Sequence, residues 1–273
     1  MANIKAKIAN LLPQKLVAAI RPYSQMINRR LFRSGFDQAS NVSIETFDQF
    51  EIAYRSGTAD EKVIEHSFSN DIFFQTMSAY RPKIGDVIIE VGAHIGTFSL
   101  LAATKIGDTG KLYAIEASQD TYNFLRINTA LNQASNLSAH HLALADQEGT
   151  VPLYHNIGNW GHSTVSKLST ITETVPAMSL STFMQRNNIT RCNFMKLNCE
   201  GAEFPILLAT PRNVLQKIET MLIYYHCDLW EGSNEQALID YLETNGFRCT
   251  LHPRSATRGH MIAYRNLTPE TQL

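Results

Sequence analysis

Apolar positions follow two regimes along the chain. From Asp86 onward short apolar runs alternate with amphipathic stretches: VIIEV (87–91) reads as a strand, TFSLLAATKI (97–106) as a helix and KLYAIE (111–116) as a second strand. Ser118 suits the cap of a helix through Leu131, LSAHHLAL (137–144) reads as a third strand and SLSTFMQRN (179–187) as a helix. NFMKLN (193–198) and TMLIYYH (220–226) supply a fourth and a fifth strand, and Ala202 to Leu208 the start of a helix between them. Ser233 with Gln236 makes a capping box before a helix to Thr244, and GFRCTLH and HMIAYR close the pattern as an antiparallel pair. Strand–helix alternation of this kind predicts an α/β fold with a doubly wound, mostly parallel sheet.

Before Asp86 the pattern differs. Pro13 fits a first helical turn, Leu16, Val17 and Ile20 follow at helical spacing, Pro22 interrupts, and Met26, Ile27 and Leu31 mark a second segment. Ile72, Phe73, Phe74 and Met77 form the apolar side of a further helix after Asn70. Residues 1–80 are therefore expected to be a mainly helical extension, and residues 81–273 the main domain. Seven basic residues, from Lys5 to Arg33, precede the first acid, Asp37, so the first 33 residues carry +7 in a chain whose net charge is −1. That segment reads either as a cover for the domain or as a peripheral contact with an anionic membrane.

Composition narrows the class. With 273 residues, 44% hydrophobic and 18% charged, the chain suffices for one large α/β domain with an appendage. The net charge excludes a globally basic nucleic-acid binder, so no nucleic-acid partner is expected. Cys192, Cys199, Cys227 and Cys249 lack CxxC spacing and read as reduced thiols. With no apolar run of membrane-spanning length and no signal-peptide pattern, a cytoplasmic location is expected. The stretch HNIGNWGHSTVSKLSTITET (155–174), with His155, Trp160 and His162, is long for a connection and reads either as a functional lid or as a surface excursion.

The sharpest local signal is IIEVGAHIGTFSLLA, where a strand carrying Glu90 runs into Gly92, then Gly96, then a helix. This is how a Rossmann-like sheet brings backbone close to a nucleotide-type ligand, and Glu116 ends the next strand where a ribose needs an acceptor. Position 94 is His rather than the second glycine of a dinucleotide fingerprint. Glu90 before the turn would repel a diphosphate and attract a cation. S-adenosylmethionine (SAM), with an ammonium, a sulfonium and no phosphate, suits this loop better than NAD.

Together with YAIEAS, FMKLNCEGAEFPIL and LIYYH, this loop makes the chain resemble the FkbM family of SAM-dependent methyltransferases over residues 60 to 230. The resemblance implies a class I methyltransferase fold, SAM as cofactor, and O-methylation of a hydroxyl on a sugar, polyketide or related metabolite, the acceptor being a small molecule or a glycan. It also implies that Glu90, Gly92, Ala93 and Gly96 surround the methionine part of SAM, Glu116 the ribose, and Ala145 and Asp146 the adenine. Asn198 and Glu200 would face the methyl group, with His226 beside them and Glu203 behind as a helix-start carboxylate. The family commonly carries Asp where Asn198 stands, which keeps hydrogen bonding and removes a charge.

Methyl transfer to an alcohol needs alignment and a proton acceptor, for which Glu200, His226 and His162 are the candidates. Each has a plainer reading: Glu200 and Glu203 as first-turn carboxylates favoured by the helix dipole, the histidines as hydrogen-bonded strand-end residues. Cys199, Glu200, Glu203 and His226 also invite a metal reading, although no standard ligand spacing occurs and none is assigned. An NAD-dependent oxidoreductase, or a noncatalytic scaffold on the same sheet, are the remaining alternatives.

Overall fold

The computed structural model describes residues 41–68, 80–156, 161–231 and 234–265. Its first element is a hairpin where helix was expected: β1 (Asn41–Phe47) pairs antiparallel with β2 (Phe50–Ser56), Phe47 opposite Phe50. Phe50, Ile52 and Tyr54 are buried at a spacing of two, which only a strand places on one face. Asp48 turns the chain at φ 52, a left-handed conformation that Asp tolerates better than most residues. Helix α1 (Asp60–Phe68) follows. Arg55 grips the first residue of that helix through Nε to Oδ2 at 2.8 Å and Nη2 to Oδ1 at 2.9 Å of Asp60. Both side chains are buried, and removal of either would strand a charge at a cost of about 3–5 kcal/mol.

The main domain runs as β3 (Val87–Val91), α2 (Thr97–Ile106), β4 (Lys111–Glu116), α3 (Gln119–Leu131) and β5 (Leu137–His141). A short β6 (Ala143–Leu144), β7 (Gly149–Tyr154) and β8 (Thr172–Met178) come next, then α4 (Leu180–Arg186), β9 (Cys192–Leu197), α5 (Glu203–Leu208), α6 (Arg212–Leu215) and β10 (Ile218–His226). The chain closes with α7 (Glu235–Thr244), β11 (Arg248–Pro253) and β12 (Arg258–Tyr264). The large sheet has the order β11-β12-β10-β9-β3-β4-β5. Strands β5, β4, β3, β9 and β10 are parallel, whereas β12 lies antiparallel to both β10 and β11. The expected doubly wound sheet with an antiparallel closing strand is therefore present. The chain winds outward from β3 to β5 and then returns to β9 on the other side of β3, and the crevice at such a reversal is where open α/β sheets bind ligands.

Alternation along the strands makes two cores. Ile88, Phe194 and Leu222 pack on one face with α2, α3 and the hairpin, while Ile89, Met195 and Met221 pack on the other with α4, α5 and α7. The hairpin and α1 share the first core, with Ile52 and Ile64 beside Leu100 and Phe124. Asn128 on α3 binds β2 twice, accepting from Ala53 N at 2.7 Å and donating to Ala53 O at 3.1 Å. Residues 41–68 are thus continuous with the domain's packing.

Three local expectations change. The run LSAHHLAL breaks at Leu142, and Ala143 and Leu144 leave the large sheet to pair with β8 in a three-stranded sheet with β7. Pro152 and Pro176 had masked those two strands, since proline cannot donate to a ladder. Helix α7 is capped by Asn234, whose Oδ1 accepts from Ala237 N at 3.0 Å, rather than by the expected Ser233. Ser233, Trp160, the helices expected in residues 1–35 and the one expected after Asn70 lie outside the described residues.

Candidate active site

A cavity of about 460 Å³ opens at the carboxyl ends of β3, β4, β9 and β10. One end is built on the turn after β3. Gly92 takes φ 77, and its N–H and that of Ala93 both reach Ile115 O at 3.0 Å. A Cβ on Gly92 would lie 2.1 Å from the Asn198 carbonyl oxygen, because the turns after β3 and β9 touch there. Gly96, at φ 88, opens α2, and a Cβ there would meet Leu125 Cδ1 at 2.5 Å. Both positions admit only glycine without a shift of neighbours.

Between the two glycines the His94 N–H donates to Glu116 Oε2 at 2.9 Å, and the Ser118 N–H donates to Glu116 Oε1 at 2.9 Å. Ser118 therefore begins α3 by holding Glu116 instead of capping through its own hydroxyl. Each Glu116 oxygen keeps a lone pair beyond its amide bond, and burial pushes the carboxyl upward while the two amides oppose it.

Register explains the centre of the cavity. Glu90 on β3 and Lys196 on β9 are direct partners in the parallel ladder and project to the same face. They form a buried ion pair, Nζ to Oε1 at 2.9 Å, with Lys196 over the Phe98 ring and Ser99 donating to Glu90 Oε2 at 2.5 Å. Glu90 was expected to meet the donor's cationic end directly. It lines the cavity, yet its charge is already shared with Lys196, a residue the apolar reading of NFMKLN passed over. A lysine inside an otherwise buried strand was the available signal.

The other end is built from side chains. At the turn after β9, Glu200 takes φ 50 and Gly201 φ 98, a tight reversal that brings Glu203 back toward the sheet. Glu203 is fully buried and accepts from the Gly201 N–H at 3.1 Å and the Cys199 thiol at 3.4 Å. Its Oε1 lies 2.8 Å from His226 Nδ1 at the end of β10, and His226 Nε2 lies 3.7 Å from Glu200 Oε2. Burial alone would lower the His226 pKa, but the Glu203 hydrogen bond and the charges of Glu203 and Glu200 outweigh it and raise it above the ordinary 6.5. Burial raises Glu200 as well, against the pull of His226. Burial and the Glu203 charge push the Cys199 thiol well up, so it serves as a donor.

Of the expected residues, Glu90, Gly92, Ala93, Glu116, Asn198, Glu200 and His226 line one cavity. Gly96 shapes the loop from behind. Ala145 and Asp146 lie outside the lining, whereas Leu142, Ala143 and Leu144 are part of it; at Ala143 the chain leaves the large sheet to pair with β8. His162 lines the cavity, but its Nδ1 accepts from the Asn156 N–H at 3.0 Å, and burial together with His155 pulls its pKa to about 3. It is a neutral group whose remaining nitrogen carries the proton, which argues against a base there. Val63 and His66 of α1, Tyr224 of β10 and the Arg254–Arg258 turn also line the cavity and were not anticipated. Cys199, Glu200, Glu203 and His226 do converge, as a hydrogen-bonded chain; among the described residues no cluster of three or more such groups is arranged to hold a metal ion.

The family model for the methyltransferase FkbM domain matches residues 90–249, more than half of the chain. The chain belongs to that family. This FkbM-family protein is a SAM-dependent methyltransferase with a class I fold. It is similar to a SAM-dependent methyltransferase from Aquifex aeolicus, with 13% identity over 76% of this chain and 89% of that one and a TM-score of 0.38. It is similar also to methyltransferase FkbM from Methylobacillus flagellatus KT, with 15% identity over 70% of this chain and 46% of that one, TM-score 0.45. Fibrillarin from Aeropyrum pernix, in complex with natively bound SAM, aligns at 15% identity over 82% of each chain, TM-score 0.44. No curated protein matches the chain significantly in sequence. The cavity fits SAM chemically: Glu116, fixed by the His94 and Ser118 amides, keeps acceptor capacity on each oxygen for a ribose.

Proposed function

We propose that this methyltransferase O-methylates a hydroxyl on a sugar, polyketide or related metabolite, and that His226 is the base. The observation that supports this reading is the pairing of His226 Nδ1 with buried Glu203 at 2.8 Å, which leaves Nε2 on the cavity wall beside Glu200. In that tautomer Nδ1–H donates to the carboxylate and Nε2 is the acceptor. SAM, when bound, supplies an electrophilic methyl group on its sulfonium.

The chain's own residues do the rest. His226 Nε2 takes the proton from the acceptor hydroxyl, and the fixed Glu203 charge stabilises the imidazolium that results. An alcohol holds its proton too tightly to lose it unaided at neutral pH, and positioned bases contribute about a hundredfold to ten-thousandfold. Glu200 faces the same nitrogen, where it orients the hydroxyl or receives the proton onward. Asn198, uncharged where the family commonly has Asp, positions the hydroxyl by hydrogen bonding and cannot itself act as the base. Glu116 takes the ribose hydroxyls. The test is a methyl-transfer assay with labelled SAM against sugars, polyketide alcohols and related hydroxyl compounds, the labelled carbon being assigned by NMR. A methyl ether is expected; a methyl on nitrogen, sulfur or carbon would overturn the reading.

A further inference from the structure

The cavity wall beyond His226 comes from the closing hairpin, from residues outside 90–249, the part the family model matches. Strand β12 runs antiparallel to β10, so its first residue, Arg258, stands opposite His226, and the turn that precedes it reaches the same edge of the sheet. That turn is well held. The N–H groups of Arg254 and Ser255 donate to Arg258 O at 2.8 and 2.9 Å, and Ser255 Oγ accepts from the Arg258 N–H at 3.1 Å. Arg254, Ser255 and Arg258 all line the cavity, and Arg254, which is also exposed to solvent, stands at its mouth.

The two arginines are committed differently. Arg258 is neutralised by Asp228, through Nε to Oδ1 at 2.9 Å and Nη2 to Oδ2 at 2.7 Å. Among the described residues the Arg254 side chain makes no hydrogen bond and no ion pair; its guanidinium lies over the Tyr224 ring, Cζ 5.5 Å from the centroid. Arg254 follows the last residue of β11 and Tyr224 belongs to β10, with β12 between them, so the side chain runs back across the hairpin toward the cavity. Tyr224 and His226 share a face of β10 two residues apart, about 7 Å along the strand. The carboxylates Glu200 and Glu203 gather around His226 at the strand end, whereas the cation stands over Tyr224. A guanidinium resting on a ring keeps its fork of N–H donors fixed and unspent, the arrangement that matches a carboxylate or phosphate.

We propose that Arg254 selects an acceptor carrying an anionic group, a carboxylate or a phosphate, and holds that group over Tyr224 while the acceptor hydroxyl meets His226. The inference rests on the reading of His226 as the base of an O-methyltransferase, and it narrows the acceptor from hydroxyl compounds at large to acidic ones.

Probes matched except for the charge test this. Galactose is compared with galacturonate, and glycerol with glycerate and glycerol phosphate, by titration calorimetry on the full chain saturated with S-adenosylhomocysteine. An anionic member is expected to bind about tenfold to a hundredfold more tightly than its neutral partner, the scale for a hydrogen bond between charged groups. Glycerate against glycerol phosphate tells carboxylate from phosphate. Arg254→Ala and Arg254→Gln are each expected to bring the ratio within about twofold, and Arg254→Lys, which keeps the charge without the fork, to retain part of it. No preference for any anionic member in the parent protein overturns the role of Arg254, as does a preference that survives either neutral substitution in a variant with the parent's melting temperature. Failure of the parent to bind S-adenosylhomocysteine overturns the assignment of the cavity to SAM instead.

Discussion

The two ends of the cavity are built from different materials. At the turn after β3 the working parts are backbone: two glycines at positive φ, the amides of His94 and Ser118 on Glu116, and the contact of Gly92 with the Asn198 carbonyl. At the turn after β9 the working parts are side chains, Cys199, Glu200, Glu203 and His226, linked to one another and buried to differing degrees. Backbone geometry holds the Glu116 acceptor in one position, which suits a ligand that is the same in every turnover, because backbone donors cannot be exchanged by mutation. Side chains set chemistry and acceptor choice, and their pKa values respond to neighbours that differ from chain to chain. The Glu90–Lys196 pair sits between the two ends and ties β3 to β9.

The comparison is sharpest if one end can be damaged without the other. The largest effect is expected from His226→Asn: turnover should fall about a hundredfold to ten-thousandfold while S-adenosylhomocysteine affinity stays within about twofold. Calorimetry alongside initial rates measures both. A matching loss of affinity would mean that the two ends are not separable.

Glu116→Ala should do the converse at smaller amplitude. Loss of a charged acceptor is expected to weaken S-adenosylhomocysteine by about 1.5–3 kcal/mol, with turnover at saturating SAM falling much less. The melting temperature of the ligand-free variant reports separately on the His94 and Ser118 amides left without their acceptor. Unchanged affinity in the folded variant would remove Glu116 from the ribose.

The smallest effect is a shift along the pH axis. His226 must be deprotonated to accept a proton, and its pKa is raised above 6.5 by Glu203, so kcat should rise with pH through an inflection above that value. In Glu203→Gln the charge is gone and burial lowers the pKa, so the inflection should move down. The same raised pKa gives a stability contribution that is fully present below about pH 6.5 and is lost as pH rises through the folded-state value. Denaturant titrations across that window should show it, and an inflection that ignores the Glu203 substitution would place the base elsewhere.

Much of this was legible along the chain. The apolar runs at 87–91, 111–116, 193–197 and 220–226 are strands, and the Gly92–Gly96 turn and Glu116 stand where an α/β sheet requires them. These features depend on residues near one another in sequence, and strand periodicity, glycine conformation and helix entry are local properties of the backbone. The hairpin β1–β2 was equally local, its alternation of Phe50, Ile52 and Tyr54 present in the sequence but read as part of a helical extension.

Only the tertiary structure decided the rest. Glu90 and Lys196 are 106 residues apart and meet because two parallel strands share a register; Glu203 and His226 are 23 apart and meet because α5 begins beside the end of β10. Whether His162 or His226 is the basic imidazole could not follow from either residue alone, since burial lowers both; at His226 the hydrogen-bonded Glu203 and the Glu200 charge reverse it, whereas at His162 the pull of Asp60 is outweighed by burial and by His155, His94 and Arg55. The sequence determined by itself which groups the chain carries to the edge of its sheet. Their charge and their partners depend on distances of a few ångströms between distant segments, and those exist only once the chain has folded.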